Sequence, residues 1–131
     1  MIYARAYLAL VGISFLAFGG WFLLMPLEAA SQLGLEITGD NAAFEIRGIY
    51  GGVSLGFALL ALTGAILIGY TRHALFAATA YFGGYTLARV FSFASSEFPV
   101  DAFLYYTIFE IVMAALAILG LALTNPKREL A

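Results

Sequence analysis

The chain contains no cysteine and little charge. Without cysteine, it has no residues for disulfides, a thiolate nucleophile, sulfur-ligated metals or iron–sulfur clusters. Charged residues make up 11% of its 131 residues, whereas soluble domains usually contain about 25%. The net charge of -2 also leaves no basic face of the kind that binds nucleic acid. These shortages exclude a soluble domain coated with charge, a nucleic-acid-binding module and cysteine chemistry.

Apolar residues dominate instead, at 63% of the chain with a mean hydropathy of +0.97. A membrane-spanning helix needs about 20 mostly apolar residues, and the apolar runs show no strand alternation. Short connections between such runs are typical of an up-down bundle. We therefore predict an all-α integral membrane protein, a single four-helix transmembrane domain over residues 1–131 with spans at about 7–25, 41–70, 74–96 and 102–124.

The connection after the first span has the signals of a short helix. Pro26 stands at a first helical position and Gly34 at the position after a C-cap, an asymmetry typical of helices. We expect this helix to lie at the membrane interface. Asp40 or Asn41 is the expected N-cap of the second span.

Basic residues predict the orientation, because the cytoplasmic side collects Lys and Arg near helix ends. In a four-span topology Arg5, Arg72, Lys127 and Arg128 fall on one side. The charged residues of the opposite loops are all acidic: Glu28, Glu36, Asp40, Glu97 and Asp101. The prediction is a multi-pass protein of the bacterial inner membrane with both termini cytoplasmic. A cleavable signal peptide is the competing interpretation of Arg5 and the run after it, but that run is long for a signal core.

Two ionisable residues stand deep inside apolar runs, Arg89 in the third span and Glu110 in the fourth. At a rise of about 1.5 Å per residue, they lie roughly 10 and 12 Å from the same end of the bundle. A charge at that depth is costly unless it is paired. We therefore predict an Arg89–Glu110 ion pair, which either fixes the helix register or forms part of a functional site.

Other polar residues are expected to gather around this pair. Tyr85 precedes Arg89, and Tyr106 precedes Glu110, by one helical turn; Tyr81 and Ser92 are further potential donors. The predicted polar cluster, a candidate binding site in the outer leaflet, consists of Glu45, Arg47, Tyr50, Tyr85, Arg89, Tyr106 and Glu110. A stripe spaced by four residues, Gly48, Gly52 and Gly56, is predicted to pack closely against another helix.

Signals for catalysis are poor. An arginine beside the two glutamates favours their ionised forms and opposes general-acid work. His73 is the single histidine, whereas metal sites need several ligands. We therefore expect no catalytic residues, no metal and no cofactor.

Three elements resemble a known family: Asn41-Ala-Ala-Phe-Glu-Ile-Arg-Gly-Ile-Tyr-Gly-Gly52, Gly84-Tyr-Thr-Leu-Ala-Arg89, and Glu110. They are similar to the Arg-x-x-Tyr-Gly-Gly element, the helix-three arginine and the helix-four glutamate of domain-of-unknown-function family 4345, small four-span membrane proteins of bacteria. More distantly the chain resembles DoxX-like proteins. The resemblance implies the fold and no reaction.

Three functions remain open. The first is binding of a lipid, quinone or other amphiphile by the polar cluster. The second is an accessory subunit that packs against a larger membrane complex. The third is a small dimeric transporter, although small multidrug exporters carry a glutamate in the first span, which is uncharged here. The expected partners are membrane lipids and either another membrane protein or a second copy of this chain.

Overall fold

A computed structural model describes residues 1–100 and 102–124, and within these residues it contains helices and no strands. The predicted all-helical class is confirmed. The helices are α1 (Ile2–Leu24), α2 (Pro26–Gln32), α3 (Ala42–Ile46), α4 (Val53–Ile66), α5 (Thr71–Ala94) and α6 (Ala102–Leu123). A π-helical turn, Arg47–Gly52, joins α3 to α4, and a 3₁₀ turn, Ile68–Tyr70, leads into α5.

Within residues 1–100 and 102–124, three helical stretches are long and apolar enough to cross a membrane: Ile2–Leu24, Ala42–Ile66 and Ala102–Leu123. The second is the continuous helix formed by α3, the π-helical turn and α4. Helix α5 has 24 residues but is less apolar and does not join this set. The chain is therefore a helical protein suited to a membrane, in which three spans are recognised from length and composition.

The predicted end of the second span is wrong. Helix α4 ends at Ile66, because Leu67 has an extended backbone with φ -99° and ψ 111°. The Thr71 hydroxyl then donates a hydrogen bond of 2.8 Å to the Gly64 carbonyl across this bend. Since α5 starts at Thr71, residues 72 and 73 lie in its first turn instead of in a loop. The first span is predicted to begin at about residue 7, but α1 begins at Ile2. Helix-favouring residues before the predicted start continue the helix in that direction.

The short helix after the first span is present as α2. Its C-terminus is a Schellman motif: Gly34, with φ +78°, donates to the Ser31 carbonyl at 2.9 Å, and Leu35 donates to the Ala30 carbonyl at 3.0 Å. The motif turns the chain so that Ala30 and Leu33 pack against Phe22 of α1. Asn41 is the N-cap of α3, but it makes no capping hydrogen bond with its side chain.

Helix α1 packs most extensively against α4, and glycines permit the contact. A Cβ atom at Gly19 would lie 3.0 Å from both the Gly51 carbonyl oxygen and the Leu55 amide nitrogen. A Cβ atom at Gly51 would lie 3.1 Å from the Leu23 amide nitrogen. Small residues thus bring the two backbones together, as in other membrane helix pairs.

The glycine stripe predicted for packing faces outward instead. Gly48 and Gly56 are exposed, and a Cβ atom at either would meet nothing within 4 Å. A Cβ atom at Gly52 would meet only the carbonyl oxygen of Arg47, in its own helix, at 3.8 Å. The reason is the π-helical turn, which adds one residue to the helix and brings Gly51, one position earlier, towards α1.

The remaining long helices complete the bundle, with α5 packed against α6 and α4 beside α5. The largest buried cluster draws on all four long helices and is rich in alanine, which keeps the helices close. Its fully buried larger members are Leu8, Val11, Leu75 and Phe82.

Two arginines at one end of the bundle bind helix C-termini. Arg5 Nε donates to the Ala65 carbonyl at 2.7 Å, and Arg72 Nη1 donates to the Leu121 and Thr124 carbonyls at 3.0 and 2.7 Å. The last carbonyls of a helix lack intrahelical partners and carry partial negative charge. These contacts place Arg5 and Arg72 at the same end, as the four-span topology requires; Asp101, Lys127 and Arg128, which the prediction also used, lie outside the described residues.

The glycine contact between α1 and α4 predicts different effects of two neighbouring substitutions. Gly19→Ala should lower the free energy of unfolding by about 1–3 kcal/mol, because its Cβ meets backbone atoms. Gly20→Ala is the matched control, since a Cβ there meets nothing within 4 Å; it should leave stability unchanged or raise it through helix propensity. Thermal unfolding in one detergent compares the two, and equal melting temperatures would contradict the close contact.

Candidate ligand-binding site

Arg89 and Glu110 form a bidentate ion pair. Arg89 Nε donates to Glu110 Oε2 at 2.8 Å, and Arg89 Nη2 donates to Glu110 Oε1 at 2.9 Å. Two parallel charge-assisted hydrogen bonds fix both the distance and the orientation of the groups. The predicted ion pair is therefore present. The side chains are 27% and 12% exposed, respectively, so the arginine is the more accessible partner.

The backbone brings the two residues to one level. Helix α5 ends in a second Schellman motif, in which Ser96, with φ 61°, donates to the Phe93 carbonyl at 3.1 Å and Glu97 donates to the Ser92 carbonyl at 2.9 Å. The chain reverses there and enters α6, which packs antiparallel to α5. Arg89 and Glu110 lie on the facing sides of these helices.

The guanidinium group of Arg89 has capacity for a further partner. Its carbon atom lies 5.6 Å from the centroid of the Tyr85 ring, a cation–π contact. Two of the five N–H groups of an arginine bind Glu110, and the others make no hydrogen bond to any residue in 1–100 or 102–124. The pair is formally neutral, yet it still presents hydrogen-bond donors.

These donors face a cavity of 410 Å³ between α1, the π-helical turn, α5 and α6. We call it the aromatic cavity, because five phenylalanines and five tyrosines are among its fourteen lining residues. They are Ser14, Phe15, Phe18, Leu33, Tyr50, Tyr81, Phe82, Tyr85, Phe103, Tyr105, Tyr106, Phe109 and the ion pair Arg89 and Glu110.

The wall of the aromatic cavity is held by ring contacts. Tyr81 stacks on Phe57 at 4.6 Å between centroids with an angle of 9° between the planes. Phe15 meets Tyr81 and Phe82 edge to face, at 5.3 and 5.7 Å. Such pairs are favourable arrangements of aromatic quadrupoles. The cavity thus keeps its shape through packing among the side chains behind it.

The cavity is open between α1 and α6. At the other end of this helix pair, the Tyr7 hydroxyl donates to the Met113 carbonyl at 2.9 Å and closes the gap. Nearer the ion pair, Ser14 of α1 and Tyr105 and Phe109 of α6 line the cavity and are also exposed. The opening faces sideways, across the bundle surface between the two helices.

The structure brings together five of the seven residues of the predicted cluster. Lining the aromatic cavity are Tyr50, Tyr85, Arg89, Tyr106 and Glu110.

The structure does not bring the other two members, Glu45 and Arg47, into the cavity. Both are exposed. Arg47 Nε instead donates to the carbonyl of Leu23, near the end of α1, at 3.1 Å. Only Tyr50, within the π-helical turn, reaches the cavity from this part of the chain.

The phenylalanines of the wall were not singled out from the sequence. Their spacing carries the signal: Phe15 and Phe18 are three residues apart in α1, and Phe103, Tyr106 and Phe109 repeat at three-residue intervals in α6. Residues at this spacing share a helix face. In a chain with 16% aromatic residues, the same spacing also arises on faces that contact lipid.

No group of three or more His, Asp or Glu side chains in residues 1–100 and 102–124 is arranged to hold a metal ion. Within that part of the chain, His73 is exposed and its ring centroid lies 6.3 Å from that of Tyr70.

Comparison with known proteins identifies a family. The model of a family described as a domain of unknown function, DUF4345, matches residues 3–121. No curated protein and no solved structure matches the chain.

The ion pair predicts that replacing one partner lowers the free energy of unfolding more than replacing both. Arg89→Met leaves the buried Glu110 carboxylate without its cation and should destabilise the protein by roughly 3–5 kcal/mol, whereas Arg89→Met with Glu110→Leu should cost less. Thermal melting in detergent measures both. Arg47→Met is the matched control, because that arginine is exposed and binds a single carbonyl. A double variant as unstable as Arg89→Met would argue against this account.

Proposed function

The chain belongs to the DUF4345 family, which carries no described function, and we propose from its geometry that it binds an amphiphile of the quinone class in the aromatic cavity. The ligand class is a planar ring with uncharged carbonyl oxygens and an apolar tail. The observation that carries this proposal is a neutral ion pair that presents free N–H groups to a cavity walled by aromatic rings.

The proposal includes four membrane spans, with α5 as the third. At 24 residues, α5 measures about 36 Å, which suffices to cross a bilayer. Its polar residues lower its hydropathy, but Arg89 is neutralised by Glu110 and Arg72 binds carbonyls at the C-terminus of α6. A helix whose charges are satisfied by its neighbours can remain in the membrane.

The same topology supports an orientation with the N-terminus and the Arg72 end in the cytoplasm of a bacterial inner membrane. Arg5 and Arg72 lie at that end, while the exposed acidic residues Glu28, Glu36 and Glu97 lie in the segments at the other end. This distribution follows the preference of Lys and Arg for the cytoplasmic side.

A planar ring fits the walls of the cavity. Aromatic side chains offer flat apolar surfaces that stack on a ring at little entropic cost, because the side chains are already held by one another. Known small-molecule sites have this form, mostly apolar with a few convergent polar groups. Here the polar lining residues include Arg89, Tyr50 and Tyr85.

An uncharged acceptor fits the ion pair better than an anion does. A phosphate or carboxylate approaching Arg89 would be repelled by Glu110, whose oxygens lie within 2.9 Å of the guanidinium nitrogens. A carbonyl oxygen accepts the remaining N–H groups without displacing the carboxylate. Hydrogen bonds to charged donors contribute about 1.5–3 kcal/mol each.

Entry from the bilayer explains the sideways opening. An amphiphile dissolved in the membrane meets the gap between Ser14 and Phe109 at the bundle surface. Its ring then enters the cavity, and its tail stays in the lipid. The protein needs no covalent chemistry for this role.

A second candidate is an accessory subunit of a larger membrane assembly. It is favoured by the exposed glycine face, where Gly48 and Gly56 leave room for a neighbouring helix. A second copy of this chain, as a small dimeric transporter requires, would fit the same face.

Ligand binding predicts a shift in melting temperature. A short-tailed benzoquinone should raise the melting temperature of the purified protein in detergent, because a ligand that binds only the folded state stabilises it. In the double variant Arg89→Met with Glu110→Leu, the affinity should fall about tenfold or more, since one such hydrogen bond contributes about 1.5–3 kcal/mol.

Three comparisons sharpen this test. The Arg47→Met variant should bind like the parent, because Arg47 lies outside the cavity. An alkylbenzene with the same tail but no carbonyl groups should bind weakly. Tighter binding of an anionic amphiphile than of the quinone would contradict the proposed ligand class.

The accessory role predicts a separate outcome. Gly56→Leu should leave melting of the isolated protein unchanged, since a Cβ at this position meets nothing within 4 Å, but it should abolish a larger assembly seen by native mass spectrometry. Retention of that assembly in the variant would remove the glycine face as its interface.

A further inference from the structure

A second, smaller cavity lies on the other side of Arg89. It measures 180 Å³ and is enclosed by the last turns of α5, the loop after it and the first turns of α6. We call it the vestibule. Its lining residues are Arg89, Ser92, Phe93, Glu97, Phe98, Pro99, Phe103 and Thr107.

Arg89 and Phe103 line both cavities, so they form the partition between them. The aromatic cavity opens sideways between α1 and α6. The vestibule lies at the loop end of the bundle, where Glu97 is exposed and Pro99 is partly exposed. Arg89 thus borders two cavities of different character, whereas Glu110 lines the aromatic cavity.

The vestibule has the chemistry of a hydrated space. Arg89, Ser92, Glu97 and Thr107 give it four polar side chains among eight lining residues. Its volume exceeds that of a water molecule, about 30 Å³ in the liquid, several times over. An arginine with unused N–H groups next to an empty cavity would carry a large desolvation cost, which water removes.

We propose that the vestibule is an aqueous entrance, through which water reaches the Arg89–Glu110 pair from the loop that joins α5 to α6. The amphiphile and the water would then meet at the ion pair from opposite sides, and protons of a group held there would exchange with the aqueous phase. This inference concerns access to the ion pair, and its test does not depend on which ligand occupies the aromatic cavity.

The absence of cysteine makes the test direct, since each introduced thiol is the only one in the chain. Ser92→Cys and Thr107→Cys place thiols in the vestibule, one on each helix. Their neighbours Phe91 and Ile108 are 73% and 53% exposed on the outer surface of the bundle at nearly the same depth. Phe91→Cys and Ile108→Cys are therefore the matched controls, facing lipid instead of the vestibule.

The measurement is the rate of modification by a charged, membrane-impermeant methanethiosulfonate reagent in proteoliposomes. Ser95→Cys, exposed in the loop, identifies the side that carries the α5–α6 connection. Only the thiolate reacts, and an apolar environment raises the pKa of a thiol. An increase of one unit in that pKa lowers the thiolate fraction, and therefore the modification rate, about tenfold. Reagent added on the Ser95 side should modify the vestibule thiols about tenfold or more faster than the controls.

Closing the vestibule provides a second measurement. Ser92→Phe adds a ring to a cavity of 180 Å³, and in the double variant with Thr107→Cys the modification rate should fall to that of Ile108→Cys. The melting temperature of each variant in detergent verifies that the bundle is intact. Vestibule thiols that react no faster than the controls would overturn the proposal, as would fast modification of Thr107→Cys that persists after Ser92→Phe.

Discussion

The bidentate bond between Arg89 and Glu110 is the constraint on which the rest of this structure depends. Two charges from antiparallel helices meet at 2.8 and 2.9 Å, which fixes the register of α5 against α6. That register places Phe103, Tyr106 and Phe109 opposite the rings of α1 and α5 and so creates the aromatic cavity. Without Arg89, the candidate span α6 would carry the uncompensated carboxylate of Glu110, and such a charge is costly at membrane depth.

Each arginine in the described part of the chain donates hydrogen bonds to a neighbouring helix. Arg5, Arg47 and Arg72 donate to main-chain carbonyls at or near helix C-termini, and Arg89 binds the carboxylate of Glu110. Carbonyls at helix ends lack intrahelical partners. Arg5, Arg47 and Arg72 therefore connect neighbouring helices near their ends, whereas Arg89 and its carboxylate partner line the aromatic cavity.

The sequence predicted the parts of this arrangement that depend on depth and charge. Counting residues from the shared loop sufficed to pair Arg89 with Glu110, and Pro26 and Gly34 sufficed to predict α2. It was harder to predict which residues of each helix face its neighbours. The π-helical turn has no clear sequence signature beyond its glycines, yet it determines that Gly51 contacts α1 and that Gly48 and Gly56 do not. Ring packing among Phe15, Tyr81 and Phe82 depends on three helices at once, which no local spacing specifies.

The π-helical turn also makes the packing of the second long helix sensitive to the insertion or deletion of a single residue. A single-residue deletion within Arg47–Gly52 would allow an ordinary α-helix to form, because the π-helical turn contains one residue more than the α-helical path between the same two helices. The directions in which the residues of this turn face would change, among them Tyr50 in the cavity wall and Gly51 against α1. Insertions and deletions in this segment would therefore alter the cavity wall and the contact with α1 together.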